Sequence, residues 1–142
     1  MAEYIDSIHS VGEWKNSDPI DLSAKRTKPL LLYFWRSHTP SSVEILHELN
    51  MLTAQHGDEF PVQVLTIHAP EFEDDDSWEE LLDHFKIDLP VFHDSEYHTW
   101  EHFDVQHAPS YIVLDEKGDE VLRRVGNLDD SGVRDYLFSL ME

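Results

Sequence analysis

Leu30-Leu31-Leu32-Tyr33-Phe34-Trp35-Arg36-Ser37-His38-Thr39-Pro40-Ser41-Ser42 is the stretch on which the reading of this chain turns. The apolar run Leu30–Trp35 follows Pro29 with no polar interruption, the pattern of a strand buried on both faces. A short polar loop comes next, and Thr39-Pro40 then opens a helix. Threonine is a good N-cap, and proline suits the first helical position because the N–H it lacks would have no intrahelical partner there. From Pro40 to about His56, Val43, Ile45, Leu46, Leu49 and Leu52 form an inward stripe.

Working outward, Val62–Ile67 reads as a second buried strand. The acidic run Glu71–Asp76 reads as an exposed loop feeding a helix. Ser77 starts that helix with the capping box Ser77-x-x-Glu80, and Trp78, Leu81, Leu82 and Phe85 face inward. After Pro90-Val91-Phe92, a short helix from about Ser95 to Phe103 buries Tyr97, Trp100 and Phe103. Tyr111–Leu114 is a strand, Glu116–Asp119 a turn, and Glu120–Val125 its hairpin partner. A last helix, about Asp130–Met141, buries Val133, Leu137 and Leu140. This order predicts an α/β sandwich with a mixed sheet, a single domain over residues 1–142 with residues 1–20 as an extension packing on it.

The 142 residues leave room for one core, and seven Phe, four Trp and five Tyr can fill it. Ten Lys plus Arg against 30 Asp plus Glu give a formal net charge of −20, which argues against nucleic acid or an anionic membrane as partner. Such a surface suits a salty cytoplasm, where at ~1 M salt the Debye length falls to ~3 Å and self-repulsion is screened. A basic protein partner is the alternative. The first residues lack the basic and apolar segments of a signal peptide, and no apolar run approaches the ~20 residues of a membrane span. The expectation is a cytoplasmic protein. The chain contains no cysteine.

Three segments in order resemble the thioredoxin superfamily. They are Leu31–Leu49; Val64-Leu65-Thr66-Ile67-His68, followed after an insertion by Leu89-Pro90-Val91-Phe92-His93-Asp94; and Phe103–Gly118, which is similar to the family's Val-x-x-x-Pro-x-x-x-x-x-Asp-x-x-Gly pattern. The resemblance runs from about Asp21 to the C-terminus. It is nearest to the thiol–disulfide oxidoreductase (redoxin-like) branch and to the thioredoxin-like domain of NHL-repeat proteins. It implies a three-layer sandwich, a central mixed sheet flanked by helices, with a helical insertion after the second core strand. It also implies that Pro109 is a cis-proline beside the active-site loop and that the Ala108 backbone pairs with extended substrates.

The chemistry does not follow the fold. In the family the first cysteine of Cys-x-x-Cys sits at a helix N-terminus, where the dipole favours the thiolate. Thr39 and Ser42 stand at the two cysteine positions, so dithiol exchange is excluded. A second alignment sets His38-Thr39-Pro40-Ser41-Ser42 against the Thr-Pro-x-Cys of some peroxiredoxins, but serine does not form a sulfenic acid.

The expected function is therefore a redox-inactive module that binds a protein or peptide partner and no cofactor. Its groove is assigned to Trp35, His38, Thr39, Pro40, Ser42, His107, Ala108 and Pro109. The competing reading is an enzyme with other chemistry in the same groove. Ser42 or Thr39 could act as nucleophile with His38 as base, provided the base is within reach and held by a third group. Alternatively His38, His68 and His107, which the family arrangement gathers at the groove rim, could ligate a metal, although no known zinc spacing accompanies them. His98 and His102 lie opposite Tyr97, Trp100 and Phe103 on their helix and should face water.

Overall fold

The computed structural model describes residues 12–17, 20, 27–69, 77–128 and 131–141. In chain order the elements are β1 (Glu13–Lys15), β2 (Leu30–Trp35), α1 (Pro40–His56), β3 (Gln63–His68), α2 (Ser77–His84), β4 (Val91–His93), α3 (His98–His102), β5 (Ser110–Leu114), β6 (Glu120–Val125) and α4 (Val133–Ser139). The strands form one sheet in the order β1-β4-β3-β2-β5-β6. β2 runs parallel to β3, β3 runs parallel to β4, and the β1–β4, β2–β5 and β5–β6 pairs are antiparallel. This is the mixed sheet flanked by helices of a thioredoxin-like sandwich.

The unbroken apolar character of β2 follows from its place between two strands and two layers. Its odd-numbered residues, Leu31, Tyr33 and Trp35, pack with Val43, Leu46 and Leu49 of α1, Trp78 and Leu82 of α2, and Leu137 of α4. Its even-numbered residues, Leu30, Leu32 and Phe34, pack on the other side with Trp100 and Phe103. Phe34 meets Trp100 edge-to-face, with centroids 5.6 Å apart. All six β2 side chains are fully buried. At ~1.5–3 kcal/mol for each large apolar side chain removed from water, this strand anchors the fold.

The structure departs from the sequence reading in several places. Glu13–Lys15 adds an antiparallel edge strand, with Trp14 against Phe92 at 4.9 Å; three residues are too few to show a strand period. Residues 1–11 and the acidic run 71–76 lie outside the described residues. α3 starts later than expected because its N-cap residue, Tyr97, is left-handed at φ 64°; the Asp94 carboxylate accepts from Thr99 N–H at 3.2 Å and Trp100 N–H at 2.9 Å in its first turn. α4 stops at Ser139, so Leu140 is 41% exposed and is not the core residue its spacing suggested. Thr39 holds the N-cap position of α1 but makes no side-chain cap bond. The Ser77 hydroxyl, expected to serve a capping box, engages Ser37 and His38.

Candidate functional site

β2 delivers the chain into the Arg36–Thr39 loop at the carboxyl end of the sheet. Trp35 is fully buried, its indole N–H donating to Thr66 Oγ1 at 3.3 Å and its ring 4.5 Å from that of His68. Trp35 therefore belongs to the core and is not an exposed groove wall, because the odd-numbered face of β2 lies beneath the helices. Ser42 is fully buried as well. Its Oγ accepts the Arg36 N–H at 3.1 Å and has the carbonyls of Arg36 and Thr39 as acceptors for its own proton, at 2.7 and 2.9 Å. The Ser42 carbonyl accepts the Tyr33 hydroxyl at 2.5 Å. Ser42 thus clamps the loop onto α1, and a hydroxyl so enclosed is not a nucleophile for His38. Burial pushes the Tyr33 and Tyr111 phenols above their usual range.

Across β2, the antiparallel register pairs Phe34 with Ser110. The pairing ends there, and Pro109 and Ala108 immediately precede Ser110 in the chain. The Ala108–Pro109 peptide is cis, Pro109 is buried, and its carbonyl accepts the Gly126 N–H at 3.1 Å. Ala108 is half-buried, and its N–H and C=O make no hydrogen bond among the described residues. Pro40 is exposed at the start of α1.

The three histidines do not converge. His38 lines an open pocket of about 470 Å³ with Ser37, Ser77, Glu80, Leu81 and His84. His107 lies in a different hollow of about 150 Å³, beside Gln106, Arg123 and Arg124. His68 is fully buried and meets the His38 pocket only through Ser37, one of the residues that line it. Among the described residues no group of three His, Asp or Glu side chains is placed to hold a metal ion, so the His38/His68/His107 ligand set is not assembled. His98 and His102 are exposed, on the water-facing side of α3.

His68 pairs instead with a residue the sequence reading passed over. Parallel register sets it beside His93, and the two Nδ1 atoms lie 2.9 Å apart. His68 Nε2 lies 3.2 Å from Ser37 Oγ. Trp78 stacks on His93 with rings 3° from parallel and 4.5 Å apart. The signal was present in two strands that both end in an aromatic or aliphatic residue followed by histidine, Ile67-His68 and Phe92-His93. Side chains at the carboxyl ends of parallel strands sit where open α/β sheets place their sites. Next to His93, Asp94 has its carboxyl pKa raised by burial, against the pull of the Trp100 and Thr99 N–H bonds.

The thioredoxin-like family matches residues 27–120. The chain belongs to that family. It is 27% identical over 119 residues to the thioredoxin-like protein SkfH of Bacillus subtilis (strain 168), a match covering 81% of each chain. It is 26% identical over 108 residues to the thiol-disulfide oxidoreductase YkuV of the same organism, covering 74% of this chain and 72% of that one. In three dimensions it is similar to a thioredoxin-like protein solved in solution in its oxidized form. That match has a TM-score of 0.78 at 22% identity and covers 94% of this chain and 92% of the other. The present chain has no cysteine. No described helix is long and apolar enough to cross a membrane.

Proposed function

We propose that this thioredoxin-like chain is a binding module without dithiol chemistry. It holds an extended peptide or partner loop between the Ala108–Pro109 edge and the mouth of the Arg36–Thr39 loop. The observation that carries this reading is the Ala108 backbone: a half-buried N–H and C=O with no hydrogen bond among the described residues, two residues before Ser110, the strand partner of Phe34. Backbone groups the fold leaves open are satisfied by water or by a bound segment, and an extended segment supplies alternating donors and acceptors in strand fashion. Thr39 and Pro40 flank that mouth, and the buried Trp35 and Ser42 support the loop from below. The net charge of −20 favours neutral or basic segments over nucleic acid or anionic membrane, and supports a cytoplasmic setting.

The test is calorimetric titration of tag-free protein with neutral and basic extended peptides, alongside an insulin-reduction assay. Binding without reductase turnover, weakened about tenfold or more by Thr39→Arg (roughly 1.4 kcal/mol), is the expected result. Absence of binding by every peptide, or binding indifferent to Thr39→Arg, overturns it.

A further inference from the structure

Beneath the loop, five polar side chains form one continuous hydrogen-bonded chain. His93 Nδ1 lies 2.9 Å from His68 Nδ1, and His68 Nε2 lies 3.2 Å from Ser37 Oγ. Ser37 Oγ lies 3.2 Å from Ser77 Oγ, which lies 3.1 Å from His38 Nε2. A nucleophile and base within about 2.6–3.2 Å, with the base oriented by a third group, is the general pattern of an activated hydroxyl. Ser37, His68 and His93 meet that pattern. Each has a defined position: Ser37 on the half-buried loop facing the pocket, His68 buried at the end of β3, and His93 at the end of β4.

We propose that Ser37 is an acyl-accepting nucleophile, with His68 as its general base and His93 as the positioning residue. The substrates would be small, uncharged carboxylic esters that fit the pocket lined by Ser37, His38, Ser77 and Leu81. This goes beyond the binding reading and uses a different hollow from that of His107.

One set of tautomers serves this chemistry. When Ser37 O–H donates to His68 Nε2, His68 carries its proton on Nδ1 and donates it to His93 Nδ1. His93 then keeps its own proton on Nε2. Trp78 stacked flat on His93, and Trp35 against His68, hold both rings in place. Ser77 O–H can donate to Ser37 Oγ, leaving Ser37's own proton for His68.

In the reaction, a lone pair on Ser37 Oγ forms a bond to the ester carbonyl carbon, and the carbonyl π electrons move onto its oxygen. The Ser37 proton passes to His68 Nε2. The carbonyl re-forms, the bond to the leaving alkoxide breaks, and that oxygen takes the proton from His68. Water then attacks the acyl-serine, giving one proton to His68, which returns it to Ser37 Oγ as the carboxylic acid leaves. The sum is ester plus water giving acid plus alcohol. A neutral imidazole as third group orients His68 but stabilises its cation less than a carboxylate would.

The probe is p-nitrophenyl acetate, followed by rapid-mixing absorbance and by peptide mass mapping of quenched protein. Free imidazole also cleaves this ester, so the site of acylation carries the test. The expected results are a burst of nitrophenolate equimolar with protein and an acetyl group on Ser37. The rate should fall about 100-fold or more in Ser37→Ala and His68→Gln, the scale of general-base catalysis. His93→Phe, which keeps a ring against Trp78 and removes the acceptor, should also slow acylation. His93→Asp, which restores an acceptor and adds charge, should recover or exceed the wild-type rate. A purely structural His93 predicts no such recovery. Acetyl groups on lysines or other hydroxyls only, or the same burst in a folded Ser37→Ala, overturns the proposal. Should Ser37→Ala fail to fold, the mass map of the wild-type protein decides alone.

Discussion

Replacing Ser42 by alanine removes the hydroxyl that ties the loop to α1, and the structure sets the size of the effect. The Arg36 N–H has Ser42 Oγ as its acceptor at 3.1 Å, and Ser42 is fully buried, so no water reaches that oxygen's place without rearrangement. The Thr39 carbonyl is less affected, because it also accepts from Ser42 N–H at 3.0 Å and Val43 N–H at 3.3 Å. The net loss is one stranded donor and a small void, about 1–3 kcal/mol. For a chain of this size, about 2 kcal/mol corresponds to a fall in Tm of roughly 5–10 °C. The matched control is Ser41→Ala, one residue earlier and exposed, which should stay within about 0.5 kcal/mol of wild type. Urea unfolding followed by tryptophan fluorescence measures both. If Ser42→Ala is as stable as Ser41→Ala, Ser42 is not a clamp and the loop is held by something else.

Further outcomes follow from other contacts. Thr39→Cys with Ser42→Cys should form a disulfide under mild oxidation, and the thiol at position 39 should titrate below ~8.5 from its place at the helix N-terminus; thiol counting after oxidation checks this, and two persistent thiols would contradict it. Gly12→Ala should be destabilising and should loosen β1, since Gly12 has φ +152° and an added Cβ would press into the His93 carbonyl and the Phe92 ring; unchanged amide protection at Trp14 would argue against that docking. Asp94 has a raised folded pKa, so its contribution to stability is complete below its unfolded value of ~3.9 and is lost as pH rises through the folded value. The stability of Asp94→Asn relative to wild type should therefore climb with pH from about 3.5 upward, whatever constant offset the lost acceptor adds. A flat difference in denaturation experiments across that range would refute the assignment.

The parts of the fold visible in the sequence are those where local pattern and tertiary role coincide. Leu30–Trp35 is continuous because β2 is buried on both faces, and Thr39-Pro40 marks the start of a helix that runs, as read, to His56. The hairpin strand Glu120–Val125 was legible from the turn before it. What escaped depends on register between distant strands. Nothing local to His68 or His93 states that parallel pairing will set their Nδ1 atoms 2.9 Å apart, and nothing local to Trp35 says its ring points under the helices. Ser42 is assigned from sequence to the groove, yet it is fully buried, its hydroxyl turned to the Arg36 and Thr39 carbonyls. Leu140 obeys the helical spacing but falls one residue past the helix end.

The binding proposal puts a docking edge at the Ala108 backbone of this cysteine-free chain. Amide hydrogen exchange of the tag-free wild-type protein, with and without a saturating neutral or basic extended peptide, tests it most directly. Protection should appear at Ala108 and in the Arg36–Thr39 segment, while the amides of α4 stay unchanged. Protection confined to any other surface, with Ala108 exchanging at the same rate in both states, would contradict the claim.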